Sequence, residues 1–290
     1  MSVSIIIPTY NRGYILGEAI KSALSQTYDE IEVIVCDDCS TDNTREVVAS
    51  FKDERVIYHR NEVNLGLPEN RNVGISLSHY RWIIMWEDDI TYRPNGVQIL
   101  MDTVDGMERR GIKVGAVSPM TFEDAKGGKL LSLETIVANN MRGKLSKPSY
   151  ISKWTGLMFN NMKNPQDFVT ETELVNPWSL FNKEAIKAVG GYSPWFGRLV
   201  GYSHEETDLM VRLNKAGYGL YYDSQSVAHH KRTMSGGTRV KQFRYAWNYI
   251  SAHVLFLVKD YTWRAVYMIP CCFIYVGFNA VRYLPQMVNV

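Results

Sequence analysis

The stretch Arg81–Pro94, RWIIMWEDDITYRP, joins an apolar run to three consecutive carboxylates, Glu87, Asp88 and Asp89. The run at 82–86 is bulky and apolar, which predicts a buried strand. Three acids cannot continue into a core, because unpaired charge is costly to bury. The stretch therefore predicts a strand whose carboxyl end opens onto a polar cleft.

The rest of the chain alternates between strand and helix patterns. Apolar residues recur at helical spacing over 15–24, 47–51, 68–77, 97–107 and 243–257. Further strands are predicted at 3–8, 31–36, 56–58 and 114–117. This alternation predicts an α/β fold, with a mostly parallel sheet flanked by helices.

Polar residues stand at the carboxyl ends of the predicted strands, where such sheets bind ligands. Thr9 and Tyr10 end the first strand, Asp37 and Asp38 end the second, and the acids 87–89 end the fourth. No GxxxxGK[ST] or GxGxxG loop follows the first strand. A phosphate ligand beside these carboxylates needs a bridging cation, and hard oxygen ligands favour Mg²⁺ or Mn²⁺.

Composition limits the partners. The 290 residues are 46% hydrophobic with a formal net charge of +2, so no global field favours nucleic acid, and none is expected as a partner. The start, MSVSIIIPTYNR, lacks a basic region followed by a cleavage site, which predicts a cytoplasmic protein without a signal peptide.

The segment Ala265–Val281 carries no formal charge and lies between Arg264 and Arg282. It is marginally long enough to span a bilayer. A buried core helix is one interpretation, and a segment lying on the membrane surface is the other. The aromatic and basic flanks favour the surface, which predicts peripheral association with the inner face of the cell membrane.

Several motifs occur in one order: SIIIPTYNR, SALSQTYDEIEVIVCDDCSTDNT, NLGLPENRNVGIS and WEDDI, then NPWSLFNKEAIKAVGGY and HEETDLMVRLNKAGYGLYYDSQSVAHH. Together they resemble the family 2 glycosyltransferases of the GT-A fold. The resemblance implies metal-dependent transfer of a sugar from a nucleotide-diphosphate donor to an acceptor hydroxyl, with inversion at the anomeric carbon. It implies a GT-A domain over 1–240, and the helical, membrane-associating extension would then cover 241–290. The acceptor would be a glycan of polysaccharide assembly or a lipid-linked molecule.

The resemblance also assigns roles to individual residues. Asp89 would bind the metal, helped by His229, for which a surface position at a strand end is the alternative. Trp178 and Glu205 would border the sugar and acceptor, although Trp178 is equally compatible with the core. The residues expected to bind the nucleotide are Pro8, Thr9, Tyr10, Asp37, Asp38, Arg71 and Asp88.

The base that accepts the proton of the acceptor hydroxyl is expected in HEETDL. Helical geometry puts Glu205, Asp208, Arg212 and Lys215 on one polar stripe, with an i,i+4 pair between Asp208 and Arg212. Glu206 instead heads a stripe with Met210 and Leu213 that faces inward. Partial burial raises the pKa of a carboxylate, so Glu206 is the predicted base. In the alternative, Ser203-x-x-Glu206 is a capping box.

Two other functions are compatible with a nucleotide-binding α/β fold. A sugar nucleotidyltransferase would be expected to carry a glycine-rich phosphate loop after the first strand, and PTYNR is not one. A non-catalytic protein that binds nucleotide sugars would bind donor and metal without turnover, and Glu206 would then have no role.

Overall fold

The computed structural model describes residues 1–123, 149–160, 168–198, 204–231 and 242–274. Its helices are α1 (Gly13–Leu24), α2 (Thr44–Ser50), α3 (Leu67–Leu77), α4 (Gly96–Arg109), α5 (Lys183–Ala188), α6 (Trp195–Arg198), α7 (Glu205–Lys215) and α8 (Gln242–Tyr261). The strands are β1 (Val3–Thr9), β2 (Ile31–Asp37), β3 (Val56–Arg60), β4 (Trp82–Met85), β5 (Ile90–Tyr92), β6 (Val114–Glu123), β7 (Ser149–Ile151), β8 (Met158–Asn160), β9 (Val169–Thr172), β10 (Leu180–Asn182) and β11 (Gly219–His230).

Most strands of the described residues form one sheet, in the order β3-β2-β1-β4-β10-β6-β11-β5, with β9 paired to β11. β1, β2 and β4 are buried along their whole length, as apolar runs in the middle of an α/β sheet should be. They lie where the sequence predicts them. The predicted α/β class is confirmed.

The sheet is mixed, so the prediction of a mostly parallel sheet was too simple. β3, β2, β1 and β4 are parallel neighbours. β10 then inserts antiparallel between β4 and β6, and β11 runs antiparallel to β5 and β9. β10 has three residues, too few to carry a periodic signal from which its direction could be predicted.

Each face of the sheet has its own core, because successive side chains of a strand point to opposite faces. Ile5 and Ile7 pack with residues of α1 and α4. Ile6, between them, packs on the other face with residues of α3, α5, α7 and α8, including Phe256. α7 and α8 are therefore held against the sheet by shared apolar burial, which fixes the start of α7 near the carboxyl edge of β4.

The C-terminal residues described here continue the helical structure. A short 3₁₀ turn, Thr262–Arg264, follows α8, and residues 265–274 are helical. Met268 is buried in the core that contains Ile6 and Phe256, while Val266 and Ile274 are exposed. Among the described residues, no helix is both long and apolar enough to cross a bilayer. Residues 275–281 of the predicted surface segment lie outside them, and the membrane association and the domain boundary at 240/241 stay predictions.

Candidate active site

A cleft of about 270 Å³ opens at the carboxyl ends of β1, β2 and β4. Its walls come from the end of each strand and from the start of α3. It is the position at which ligands bind in open α/β sheets. The lining residues are Pro8, Thr9, Tyr10, Arg12, Asp38, Asn64, Gly66, Leu67, Asn70, Glu87 and Asp88.

Asp38 shapes one wall of this cleft. Its carboxylate accepts hydrogen bonds from Asn61 Nδ2 at 2.9 Å and from the backbone N–H groups of Leu65 and Gly66, both at 2.8 Å. These bonds hold the loop that leads into α3, where the motif NLGLPENR lies. Gly66 has φ +86°, a left-handed conformation that glycine adopts without strain. Asp38 thus borders the cleft and fixes its neighbouring loop.

Asp37, although adjacent in sequence, is committed to the scaffold. It accepts hydrogen bonds from the backbone N–H of Ser40 at 2.8 Å and from the Tyr58 hydroxyl at 2.6 Å. Ser40 Oγ in turn accepts from the backbone N–H of Asn11 at 2.9 Å. Asn11 has φ +52°, so the loop after β1 is held in an unfavourable backbone conformation at the edge of the cleft. Asp37 therefore ties together the loops that carry the site.

Arg12 neutralises the acidic pair at the end of the fourth strand. Its Nη1 lies 2.7 Å from Asp88 Oδ1, and its Nη2 lies 2.7 Å from Asp89 Oδ2. Thr9 Oγ1 donates to Asp88 Oδ2 at 2.8 Å, and all four side chains are buried. Sequence reasoning missed Arg12. Its signal was present, because PTYNR ends in a cation just after β1, next to the strand that ends in acids.

The two acids of the pair differ in proton affinity. Burial, added to by the neighbouring Asp89 and opposed by Arg12, raises the pKa of Asp88 to about 7. For Asp89, burial also favours the neutral form, but hydrogen bonding and charge from His230 and Arg12 hold its pKa below the ordinary value. Asp89 is therefore the carboxylate that stays ionised at neutral pH.

His230, rather than His229, faces the acidic pair. His230 Nε2 lies 3.6 Å from Asp89 Oδ2, and its ring packs against Trp178 with centroids 4.8 Å apart. His229 points to the other face of β11, where it stacks on Phe122. Adjacent side chains of a strand point to opposite faces of the sheet. Which of the two histidines faces the acidic pair therefore could not be predicted without the register of β11.

Trp178 lies in the core that contains Ile5 and Ile7, and its indole Nε1 donates to Thr121 Oγ1 at 2.9 Å. Of the two positions that the sequence left open for Trp178, a core position and a position beside the sugar, the structure shows the core position. The Trp178 ring packs against His230, and the predicted contact with the sugar or acceptor stays a prediction.

Arg71 contacts the carboxylates of Glu87, which lines the cleft, and of Glu205 and Glu206, which do not. Its side chain has 0% exposure, and its guanidinium lies over the Tyr192 ring at 5.1 Å. Nη1 is 2.8 Å from Glu206 Oε1, and Nη2 bonds Glu87. Burial lowers the pKa of Arg71, but these carboxylates outweigh it and hold the pKa above its ordinary value. With both terminal nitrogens engaged, Arg71 serves as a bridge between two loops. The predicted contact with the nucleotide stays a prediction.

The start of α7 presents two glutamates in different surroundings. Glu205 Oε1 lies 3.6 Å from Arg71 Nη1, and its side chain is 4% exposed, whereas that of Glu206 is 21% exposed. Burial and the charge of Glu206 raise the pKa of Glu205 well above its ordinary value, which favours its neutral form. Glu206 is thus the glutamate of this pair that reaches solvent while remaining bound to Arg71.

The predicted polar stripe of α7 is buried at Glu205 and Asp208 and exposed at Lys215. Asp208 has no exposed surface, and it pairs with Arg212 at 2.5 Å, as the i,i+4 spacing predicted, and with Lys259 of α8. These partners, and Arg71 for Glu205, allow the two acids to lie inside the protein. The inward stripe of Met210 and Leu213 is buried as predicted. Amphipathic spacing alone had suggested one buried face, but the first half of the polar stripe is buried as well.

The capping-box alternative for Glu206 depends on Ser203, which lies outside the described residues, so it stays untested. His204 precedes the helix with φ +69°. Glu206 Oε1 accepts a hydrogen bond from Arg71.

The acidic pair has the donor chemistry of a divalent-cation site. The described residues contain no group of three or more His, Cys, Asp or Glu side chains arranged to hold an ion by themselves. Asp88 and Asp89 nevertheless offer hard oxygen ligands, and Mg²⁺ is commonly held by one or two carboxylates together with substrate phosphates. Arg12 supplies the compensating charge in this structure. The residues fit a cation whose coordination is completed by a diphosphate.

Two of the relatives that share sequence with the chain act on undecaprenol-linked acceptors by their names. An undecaprenol-diphosphate-linked GlcNAc β-1,3-glucosyltransferase from Escherichia coli, which uses UDP-Glc by its name, is 40% identical over 87 residues, covering 30% of this chain and 35% of the relative. A GalNAc(5)-diNAcBac-PP-undecaprenol β-1,3-glucosyltransferase from Campylobacter jejuni is 29% identical over 160 residues, covering 54% of this chain and 47% of the relative. The matches thus span less than half the length of these relatives.

Solved structures show the same fold at low identity. TarS 1–349 of S. aureus in complex with UDP-GlcNAc aligns with a TM-score of 0.61 at 16% identity, over 100% of this chain and 79% of that one. GalNAc-T7 with UDP, GalNAc and Mn²⁺ aligns with a TM-score of 0.66 at 14% identity, over 91% of this chain and 50% of that one.

The sequence profile described as glycosyl transferase family 2 matches residues 4–190, which include β1 to β6, the acidic pair and Arg71. With this match over more than half of its length, the chain belongs to glycosyl transferase family 2.

Proposed function

We propose that this protein transfers a sugar from a nucleotide-diphosphate donor to an acceptor hydroxyl, with inversion at the anomeric carbon. One relationship carries the proposal: Arg71 bonds both Glu87, which adjoins the acidic pair, and Glu206 at the start of α7. A donor bound at the acidic pair and a base at Glu206 would then lie on either side of the Arg71 guanidinium.

The cleft has the features that a nucleotide donor requires. Pro8, Thr9 and Tyr10 offer a mostly apolar wall for the base, and Asp38 lies at its border. Asp88 also lines the cleft, where it would meet the ribose or the diphosphate. The fold shared with a UDP-GlcNAc complex supports this assignment.

The diphosphate would need positive charge next to the acidic pair. Mg²⁺ or Mn²⁺ bound by Asp89, with Asp88 beside it, would neutralise the charge that develops on the leaving nucleoside diphosphate. His230 rather than His229 would support it, because His230 is within 3.6 Å of Asp89. Arg12 would have to give up at least one carboxylate as the cation binds.

Glu206 would act as the general base. The acceptor oxygen attacks the anomeric carbon while the bond from that carbon to the diphosphate oxygen breaks, and the hydroxyl proton passes to the Glu206 carboxylate. A single displacement of this kind inverts the anomeric centre. Arg71 would orient Glu206, since it bonds Oε1 at 2.8 Å. Glu205, being almost fully buried, would support the start of α7 rather than meet the acceptor.

The acceptor we propose is lipid-linked or part of a growing glycan. Two relatives carry undecaprenol diphosphate acceptors in their names. An enzyme that uses such an acceptor works at the membrane surface, on the cytoplasmic side if its donor is a cytoplasmic nucleotide sugar. The helical segment from 242 onward would provide the association.

A donor screen tests the proposal. Nucleotide sugars are added with Mn²⁺, with Mg²⁺ or with chelator, and both thermal stability and nucleoside diphosphate release are followed. We expect one donor to stabilise the protein only with the cation, and Asp89→Asn to abolish that effect. Stabilisation that is equal in chelator, or unaffected in Asp89→Asn, would contradict the cation site. Diphosphate release from a nucleoside triphosphate and a sugar phosphate would indicate a nucleotidyltransferase instead.

A further inference from the structure

One helix near the C-terminus is apolar on the side that faces away from the protein. Over 262–274, Ala265, Met268 and Cys272 point into the core. Trp263, Val266 and Ile274 lie on the opposite side, with exposures of 70%, 80% and 71%. The spacing of these residues puts them on a single helical face. A helix that is apolar all round is normally covered on every side.

A second segment extends this apolar face. The turn at 152–156 presents Trp154, which is 72% exposed and lies 6.3 Å from the Tyr267 ring. Tyr267 is in turn 6.3 Å from Trp263. The three rings form a continuous aromatic row across two chain segments, which we name the aromatic surface together with Val266 and Ile274.

The turn is firmly seated on α8, so the aromatic surface is preorganised. Gly156 has φ +67°, and a Cβ at this position would lie 2.3 Å from Leu257 Cδ2. The Thr155 carbonyl oxygen lies 3.2 Å from His253 Nε2. A side chain at 156 would push the turn off the helix, and with it Trp154.

Two exposed cations flank the aromatic surface. Lys153 and Arg264 are exposed beside Trp154 and Trp263, and the Arg264 guanidinium lies 5.6 Å from the Trp263 ring. From Tyr261 to Val290 the sequence contains no Asp or Glu. Tryptophan and tyrosine with flanking cations are characteristic of side chains at the headgroup level of a bilayer.

We infer that the aromatic surface binds an anionic phospholipid bilayer, lying in the headgroup region rather than crossing it. A second copy of the chain is the less suitable occupant. A two-fold interface pairs each patch with itself, and it would bring the cations Lys153 and Arg264 of both copies together.

The inference rests on the proposed function for its biological meaning. Hydrogen bonds connect the aromatic surface to the candidate active site. His253 Nε2 must donate to the Thr155 carbonyl, so His253 Nδ1 accepts from His204 Nε2, 3.1 Å away. His204 directly precedes α7, which begins with Glu205 and Glu206. A lipid-linked acceptor would then approach Glu206 from the membrane to which the aromatic surface binds.

The test is co-sedimentation of the full chain with vesicles of phosphatidylcholine alone or with one quarter phosphatidylglycerol. We expect binding to the anionic vesicles, reduced at least tenfold in Trp154→Ser/Trp263→Ser. Neutralising Lys153 and Arg264 to Gln should weaken binding about fivefold per charge. Phe168→Ser, at an equally exposed aromatic residue outside the surface, should bind as wild type does.

Unchanged binding of the double tryptophan variant, or equal binding to neutral vesicles, would overturn the inference. So would a dimer of the wild type, seen by sedimentation velocity, that the double variant converts to monomer. Nucleoside diphosphate release from nucleotide sugars, with lipid-linked and glycan acceptors, is measured in parallel. If the wild type releases no nucleoside diphosphate with any of them, the proposed function is contradicted, whereas the vesicle result still stands by itself.

Discussion

Arg71 Nη1 lies 2.8 Å from Glu206 Oε1, across 135 residues of sequence, and the guanidinium carrying it is fully buried. Its Nη2 bonds Glu87, one residue before Asp88. The contact therefore fixes the start of α7 relative to the end of β4. In the proposed function, one side chain would thus connect a base and a donor site that belong to different parts of the chain.

Replacing Arg71 tests whether it positions the base or contacts the nucleotide. Lysine keeps the charge but cannot bridge two carboxylates with a rigid fork. We expect Arg71→Lys to lower kcat by about 10- to 100-fold with little change in the donor KM, since the bond to Glu206 is lost. Steady-state kinetics of nucleoside diphosphate release measure both constants.

The opposite kinetic pattern would reassign Arg71. A raised donor KM with kcat preserved would mean that Arg71 binds the nucleotide, as the sequence resemblance implied. Arg71→Met is a useful comparison for stability. It leaves Glu87, Glu205 and Glu206 without their shared cation, and we expect a loss of about 3–5 kcal/mol in the free energy of unfolding.

Arg12 holds the acidic pair in the absence of a bound cation, and its removal should make the pair depend on metal. Arg12→Gln leaves two buried carboxylates uncompensated, so we expect a loss of about 3–5 kcal/mol in the free energy of unfolding. Mn²⁺ should restore part of this loss, because it replaces the missing charge. Thermal unfolding with Mn²⁺ and with chelator measures the effect.

Arg60→Gln provides the control, because the Arg60 side chain is 39% exposed, lies 3.5 Å from the buried Asp37, and should contribute about 1 kcal/mol or less. If Mn²⁺ stabilises Arg12→Gln no more than the Arg60 variant, the acidic pair is not the cation site.

The buried histidine pair predicts acid sensitivity. Burial, with the neighbouring His253, holds the pKa of His204 well below its ordinary value, and burial lowers that of His253. The unfolded chain takes up protons on both near pH 6.5 while the folded chain does not. Their contribution to stability is therefore complete above pH 6.5 and is lost as the pH falls below it, by roughly 1.4 kcal/mol per pH unit for each histidine.

Urea unfolding at pH 7.5 and pH 5.5 measures this loss. His253→Asn should be less stable than wild type at pH 7.5 and should lose less stability on acidification. His79→Asn, at an exposed histidine, is the comparison. An equal loss for wild type and His253→Asn between the two pH values would contradict the assignment of the acid sensitivity to this pair.

Much of the parallel half of the sheet could be predicted from sequence, because β1, β2 and β4 are fully buried and therefore consist of apolar runs. The acids after β4 also indicated a cleft correctly, since few other positions tolerate them. Three features needed the structure. The direction of β10 depends on pairing between distant segments, the choice of His230 over His229 depends on register, and the burial of Arg71 depends on carboxylates 16 and 135 residues away.

Arg12 was not predicted as a site residue, for a different reason. It sits in a motif that the sequence analysis used, but the motif was interpreted through its apolar and aromatic residues. Counting charges at the edge of the sheet would have found it, because the acids at the end of β4 require a nearby cation in the folded protein.

The most direct test of the account is the rate of nucleoside diphosphate release by Glu206→Gln with saturating donor, cation and acceptor. Glutamine can still accept the hydrogen bond from Arg71 but cannot take up the acceptor proton. We predict that Glu206→Gln unfolds at nearly the wild-type temperature, binds donor with unchanged affinity and turns over at least 1,000-fold more slowly. Glu184→Gln, at an exposed glutamate of α5, should retain wild-type turnover. A Glu206→Gln variant that transfers sugar at the wild-type rate would contradict the assignment of Glu206 as the base.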